Sequence, residues 1–256
     1  MYNILVILSI FNGTRFVFMK TVLITGGSRG IGRAMVELFS SNGYSVAFTY
    51  EKSENAAKSL AEMTGAVAIR ANSKSEKEVI SAVRLAEKRL GKIDCLINNA
   101  GVSSFSLFTD LTLDAWNNII AVNLTGAFLY SRAVIPGMVS RKQGRIINIT
   151  SMWGLVGSSC EVHYSATKAA LIGMTKSLAK ELGPSGITVN AIAPGVINTQ
   201  MNARLLPEDI EALRTETPLM KIGEPIDVAR AALFLADDSS GFITGEVMNL
   251  SGGFIM

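Results

Sequence analysis

Thr21-Val22-Leu23-Ile24-Thr25 is a short apolar run that passes directly into Gly26-Gly27-Ser28-Arg29-Gly30-Ile31-Gly32, and the last of these residues open a helical stretch. Strand, glycine turn and helix, in that order, decide the fold. Glycines at 26, 30 and 32 allow a sharp turn and a close approach of the backbone to a ligand, and the free amides and dipole of a helix N-terminus favour negative charge there. A plain tight turn is the alternative, and the strand before and helix after weigh against it.

Outward from this turn, short β-branched runs alternate with longer amphipathic ones, the pattern of βαβ units in a parallel sheet. Strands are expected at Thr21–Thr25, Ser45–Tyr50, Ala66–Arg70, Ile93–Asn98, Arg145–Thr150, Ile187–Ile192 and Glu246–Leu250. Helices are expected over Gly32–Asn42 and Glu54–Met63, each stopped by a following glycine (Gly43, Gly65), and from Ser75 to Leu90. Ser75 and Glu78 have the spacing of a capping box. No linker or repeat divides the chain, so one α/β domain of doubly wound, seven-stranded parallel type is expected over residues 19–256. Met1–Phe18 is apolar but has no basic residue before its apolar run and no small-residue cleavage site after it, and the run falls short of the roughly 18 residues a membrane span needs. It reads as an extension outside the fold, with Met19 as a natural start.

The 256 residues are 48% hydrophobic and 18% charged, enough for one large core and incompatible with disorder. A net charge of +3 with no run of like charge gives no footprint for nucleic acid or a membrane. Cys95 and Cys160 are too few for a disulfide framework and fit a reducing, cytoplasmic compartment. His163 is the one histidine, so no zinc site is ready-made.

The Gly-x-x-x-Gly-x-Gly turn is a Rossmann site for a dinucleotide. Choice of dinucleotide falls to the end of the second strand, which reads as Tyr50. Arg29 and Lys52 can both pair with a 2′-phosphate, Arg29 as a fork, while Glu51 argues the other way. NADPH is favoured and NADH remains possible. Tyr164 and Lys168, at i and i+4 on one helix, place a phenol and an ammonium on one face, where the cation favours the ionised phenol. Ser151 ends the fifth strand at the edge where open α/β sheets bind ligands, and its hydroxyl can hydrogen-bond a carbonyl.

The Thr25–Gly32 turn, Asn98-Asn99-Ala100-Gly101, Asn123, Ser151, Tyr164/Lys168 and Pro194-Gly195 with Thr199 together resemble the short-chain dehydrogenase/reductase family over essentially all of residues 19–256. The resemblance implies sheet order 3-2-1-4-5-6-7, a homotetramer, and reduction of a ketone. It implies Tyr164 as general acid, Lys168 as its tuner and holder of the nicotinamide ribose, Ser151 polarising the carbonyl and Asn123 supporting a water relay. It places Gly26, Ser28, Arg29, Gly30, Ile31, Gly32, Tyr50, Asn72, Asn99, Ala100, Gly101, Pro194, Gly195, Ile197 and Thr199 around the cofactor. Asn72 stands where the family usually has Asp against adenine.

Within the family, Ser28-Arg29-Gly30 and the stretch from Ile243-Thr244-Gly245 to Gly252-Gly253 resemble 3-oxoacyl-acyl-carrier-protein reductases, whose basic residues near the active-site mouth meet an acidic carrier protein. Arg141, Lys142 and Arg145 are the expected patch, and Ser185 departs from the second basic position. Ser151-Met152-Trp153-Gly154 with Cys160-Glu161-Val162-His163-Tyr164 is also similar to reductases acting on an aminopentanone group carried on a protein lysine. There Glu161 would pair with a cationic amine, or else it faces solvent or caps the Tyr164 helix. Trp153 lines the substrate pocket or packs under a lid. His163 is a rim or packing residue, Cys160 is inert, and Arg204–Leu213 is a mobile helical lid.

Overall fold

The computed structural model describes residues 20–203 and 205–256. The expected extension at Met1–Phe18 and the start at Met19 lie outside the described residues. Seven strands, β1 (Thr21–Ile24), β2 (Ser45–Tyr50), β3 (Val67–Arg70), β4 (Cys95–Asn98), β5 (Gly144–Ile149), β6 (Ile187–Pro194) and β7 (Val247–Leu250), form one parallel sheet in the order 3-2-1-4-5-6-7. The order and the single α/β domain agree with expectation. Ser45–Tyr50 matches to the residue, and the other strands differ by one or two at an end.

Among the described residues nine helices join them: α1 (Gly30–Ser41), α2 (Glu54–Thr64), α3 (Glu76–Leu90), α4 (Leu113–Ile120), α5 (Gly126–Arg141), the single turn α6 (Trp153–Val156), α7 (Val162–Leu182), α8 (Pro207–Glu216) and α9 (Pro225–Ala236). Successive side chains of each strand point to opposite faces, which splits the core in two. On one face Ile24, Phe48, Ile97 and Ile147 meet Met35 and Phe39 of α1 and Val228 and Leu235 of α9. On the other, Leu23, Leu96, Ile146 and Val189 meet Val79 of α3, Leu129 and Val134 of α5 and Leu182 of α7.

Helix ends follow local chemistry. Gly65 stops α2 with φ +71°, a left-handed cap that glycine adopts without strain. The expected stop at Gly43 falls two residues past the end of α1, whose cap is Asn42. Only half of the expected capping box forms: Ser75 Oγ accepts from the Glu78 amide at 3.4 Å, but the Glu78 carboxylate accepts from the Asn72 amide instead, at 3.0 Å. The run Leu113–Arg141 is long and apolar enough to cross a membrane by composition. In this fold its second half packs on α3, β4 and β5 and supplies core residues.

A buried polar chain ties the middle of the sheet to the helices that carry the site. Asn98 Nδ2 donates to Asn148 Oδ1 at 2.9 Å and to Ser131 Oγ at 3.0 Å, and Asn148 Nδ2 donates to Thr175 Oγ1 at 2.9 Å. The four residues lie on β4, β5, α5 and α7, so the register of α5 and α7 against the sheet is fixed by directional bonds as well as by apolar contact.

Candidate active site

A cleft of about 980 Å³ runs along the C-terminal edge of the strands, from the glycine turn to the start of α7. Every residue expected at the cofactor or substrate borders it, and of the expected catalytic residues only Asn123 lies behind its wall, fully buried.

The cofactor end is built by backbone proximity. Gly26 has φ +67°, and a Cβ there would come within 2.9 Å of Ala100 Cα. A Cβ on Gly32 would stand 2.1 Å from the Gly26 carbonyl oxygen, so the first turn of α1 lies directly on the loop. Thr25 locks the two loops together: its hydroxyl accepts from the Asn99 and Ala100 amides, both at 2.9 Å, while Asn99 Nδ2 donates to the Thr25 carbonyl at 2.9 Å. The residue that precedes α1, Arg29, makes no side-chain cap, which leaves the amides of that turn to a ligand anion. This cradle fits the pyrophosphate of a dinucleotide. Thr199 faces Gly30 across it, its Cγ2 3.4 Å from where a Cβ would sit. Tyr50, Glu51 and Lys52 border the far end together with Asn72, whose Oδ1 already accepts from the Lys74 amide at 3.0 Å and keeps one lone pair for an adenine amino group.

The reacting end is built by side chains. α7 begins at Val162, so Tyr164 and Lys168 project from its first two turns. Lys168 Nζ stands 5.5 Å from the Tyr164 ring centroid and donates to the Ile149 carbonyl at 2.8 Å. Burial drives its pKa down to about 8. The expected lowering of the phenol is not what the chain shows. Burial pushes Tyr164 up to about 12, a hydrogen bond with Ser151 opposes this, and the Glu161 charge adds to it. Ser151 Oγ also accepts from the Trp153 amide at 3.2 Å. Asn123 lies in a π-helical turn, Ala121–Thr125, between α4 and α5. The wider turn brings its amide onto the backbone of Val102, accepting from the amide at 2.8 Å and donating to the carbonyl at 2.9 Å. Gly101 lies beside both groups, a Cβ there being 3.4 Å from Asn123 Oδ1 and 3.5 Å from Lys168 Nζ.

A profile of the family described as enoyl-(acyl carrier protein) reductase matches residues 26–255. The chain belongs to the short-chain dehydrogenase/reductase family. An acetoacetyl-CoA reductase of Shinella zoogloeoides is 42% identical over 236 residues, 91% of this chain and 98% of that one. A 3-oxoacyl-acyl-carrier-protein reductase of Aquifex aeolicus is 40% identical over 239 residues, 91% and 96% of the two chains. A double mutant of a Serratia marcescens short-chain dehydrogenase/reductase superposes with a TM-score of 0.85 at 34% identity, covering 92% of this chain and 97% of its own. This short-chain reductase is therefore an oxidoreductase of that family.

Around the mouth the fold corrects several expectations. Glu161 neither faces solvent nor makes a side-chain cap on α7: it is 6% exposed and accepts from Ser103 Oγ at 2.5 Å in the cleft wall. His163 is buried as a packing residue, its Nε2 2.7 Å from Ser104 Oγ. Arg141, Lys142 and Arg145 sit around the start of β5, at the opposite edge of the sheet from Ser151, so they do not border this chain's own mouth. Arg141 Nη2 donates to the Ile93 carbonyl at 2.7 Å and Arg145 pairs with Asp238 at 3.6 Å. The helix expected as a lid runs over Pro207–Glu216, later than expected because Pro207 supplies its first position, and Arg204 lies outside the described residues. Asp209, Ala212 and Leu213 of that helix border the cleft. Thr25 and Ser103 are positioning groups that the sequence alone does not single out: Thr25 stands in the turn itself, whereas Ser103 has no signal in local sequence.

Proposed function

We propose that this protein reduces the ketone of a 3-oxoacyl thioester to a secondary alcohol with NADPH. The observation that carries this reading is the buried Ser151–Tyr164–Lys168 group at the end of a dinucleotide-shaped cleft, in a chain 40–42% identical to reductases named for acetoacetyl-CoA and 3-oxoacyl substrates. The glycine turn and α1 would hold the pyrophosphate and Lys168 the nicotinamide ribose, with Pro194, Gly195, Ile197 and Thr199 as the far wall. A bound reduced nicotinamide supplies hydride to the carbonyl carbon. Ser151 Oγ donates a hydrogen bond to the carbonyl oxygen as charge grows on it. The Tyr164 phenol gives that oxygen its proton, and a pKa near 12 keeps the phenol protonated, in the donating state, throughout neutral pH. Lys168, with a pKa near 8, and Asn123 return a proton to the phenolate from solvent.

NADPH is favoured over NADH because Arg29 and Lys52, cations suited to a 2′-phosphate, line the cleft, against the single opposing charge of Glu51. Fluorescence titration tests this: Arg29→Ala should weaken NADPH binding about tenfold and leave NADH unchanged. Tighter binding of NADH by the wild type would overturn it. The thioester's carrier, coenzyme A or an acyl carrier protein, is distinguished by comparing acetoacetyl forms of both. A cytoplasmic homotetramer is part of the same proposal, and light scattering of the purified protein checks the assembly.

A second reading, a ketone bearing a cationic amine on a modified protein lysine, is favoured by one observation: the Glu161 carboxylate lies in the cleft wall. Turnover of an aminopentanone-modified protein, lost in Glu161→Gln, would support it. Selectivity for the thioester that Glu161→Gln leaves intact would exclude it.

A further inference from the structure

Trp153 stands beside Ser151 on the open cleft. Its amide donates to Ser151 Oγ at 3.2 Å, and its side chain borders the cleft. The neighbouring Gly154 packs directly on α7: a Cβ there would stand 2.8 Å from the Lys168 carbonyl carbon. The indole itself is contacted from a different direction, by Phe254 near the chain's end. The two rings meet edge to face, centroids 5.8 Å apart and planes at 87°.

Phe254 is itself held. Gly252 and Gly253, at φ +66° and +89°, carry the tail under the end of the lid, where a Cβ would stand 2.8 Å from Thr217 Cγ2 and 3.0 Å from Pro218 Cγ respectively. The Leu219 amide donates to the Gly252 carbonyl at 3.2 Å. Ser251 Oγ accepts from the Ile255 amide at 3.3 Å, and Asn249 Nδ2 donates to the Ile255 carbonyl at 2.6 Å. The tail is thus a closed turn whose one aromatic side chain is aimed at Trp153.

We propose that Phe254 is a positioning residue that fixes the Trp153 indole as the wall of the substrate compartment beside Ser151, and so limits the size of the group next to the reacting carbonyl. Phe254 does not border the cleft, so it acts through the indole. An edge-to-face contact prefers one ring orientation, which is what a wall of defined position requires. The size limit rests on the reading that a ketone is reduced over Ser151; the ring contact does not.

Two readouts keep those apart. In a Trp116→Phe background, where Trp153 is the one tryptophan left, Phe254→Ala should shift its emission to the red and increase acrylamide quenching, with Phe254→Tyr close to wild type. In the same proteins, kcat/KM for a branched 3-oxoacyl thioester relative to the acetoacetyl thioester should rise about tenfold in Phe254→Ala, the scale set by a methylene or two in an apolar pocket, and stay put in Phe254→Tyr. A tail with a merely structural role would lower both kcat/KM values together and leave their ratio unchanged, which would overturn the proposal. Unchanged emission would overturn it too. Wild-type protein inert toward both thioesters, with the emission shift intact, would refute the function reading and remove the size limit while leaving the ring contact standing.

Discussion

Replacing Lys168 with methionine should inactivate the enzyme and, in the cofactor-free protein, remove the rise in stability that the lysine gives between pH 7 and 9.5. Burial lowers the lysine from 10.5 to about 8 in the folded chain. A gap of about 2.5 units at 1.36 kcal/mol per unit disfavours the charged form by about 3 kcal/mol. Below pH 8 both the folded and the unfolded chain hold the proton, and the whole cost is present. Between pH 8 and 10.5 the unfolded chain holds the proton while the folded chain has shed it, so stability rises with pH. From pH 7 to 9.5 about 2 kcal/mol is regained. Methionine has nothing to titrate and loses that rise. It also leaves the Ile149 carbonyl without its 2.8 Å donor, a loss of about 1–3 kcal/mol. The variant is therefore slightly more stable than wild type at pH 7 and less stable at pH 9.5. Tyr164, raised from 10.0 to about 12, and Cys95, raised from 9.0 to about 12, begin to ionise in the unfolded chain towards pH 9.5 and lower the stability of both proteins alike, so the difference between the two curves reports the lysine. Urea unfolding at one protein concentration and several pH values measures this directly. Parallel stability curves for the two proteins would refute the placing of an uncompensated ammonium in the site.

Tyr164→Phe should lower kcat by a factor of about 10²–10⁴ while NADPH affinity, read by fluorescence, stays within twofold, since the phenol gives a proton and little binding. Gly32→Ala should weaken cofactor binding by about tenfold or more, because the new methyl group would stand 2.1 Å from the Gly26 oxygen and open the turn; titration checks it. Asn148→Leu leaves Asn98 Nδ2 with Ser131 as its one acceptor and takes away the donor to the Thr175 hydroxyl, which still donates to the Leu171 carbonyl at 2.8 Å, and should cost about 1–3 kcal/mol in urea unfolding.

The cofactor half of the site was legible in the chain because it is made of backbone. Gly26, Gly30 and Gly32 are required where a side chain would collide or where φ is positive, and that requirement is written at fixed spacing next to a strand. Sheet order came through the same route, from a family resemblance carried by those motifs. Helices α4, α5 and α9 were not singled out, since α5 buries Leu129, Tyr130 and Val134 yet exposes Phe128 and Val139 and so has no clean amphipathic stripe. The π turn at Asn123 and the half-made capping box are tertiary outcomes: Val102 and Asn72 recruit side chains that local spacing assigns elsewhere.

The substrate half resists sequence reading for a physical reason. Glu161 and Ser103 are 58 residues apart, and Trp153 meets Phe254 from the other end of the chain. No local pattern encodes either contact, and both are side-chain interactions that tolerate many backbone solutions. The same division explains the titration. Tyr164 and Lys168 are recognisable by spacing, but spacing suggested that the ammonium would dominate the phenol. Burial wins instead, because the two groups leave water together and 5.5 Å separates the ammonium from the ring centroid, while its proton goes to Ile149. A neutral phenol beside a lysine poised near pH 8 is a pair set to give a proton and recover it, which is the direction a reductase needs.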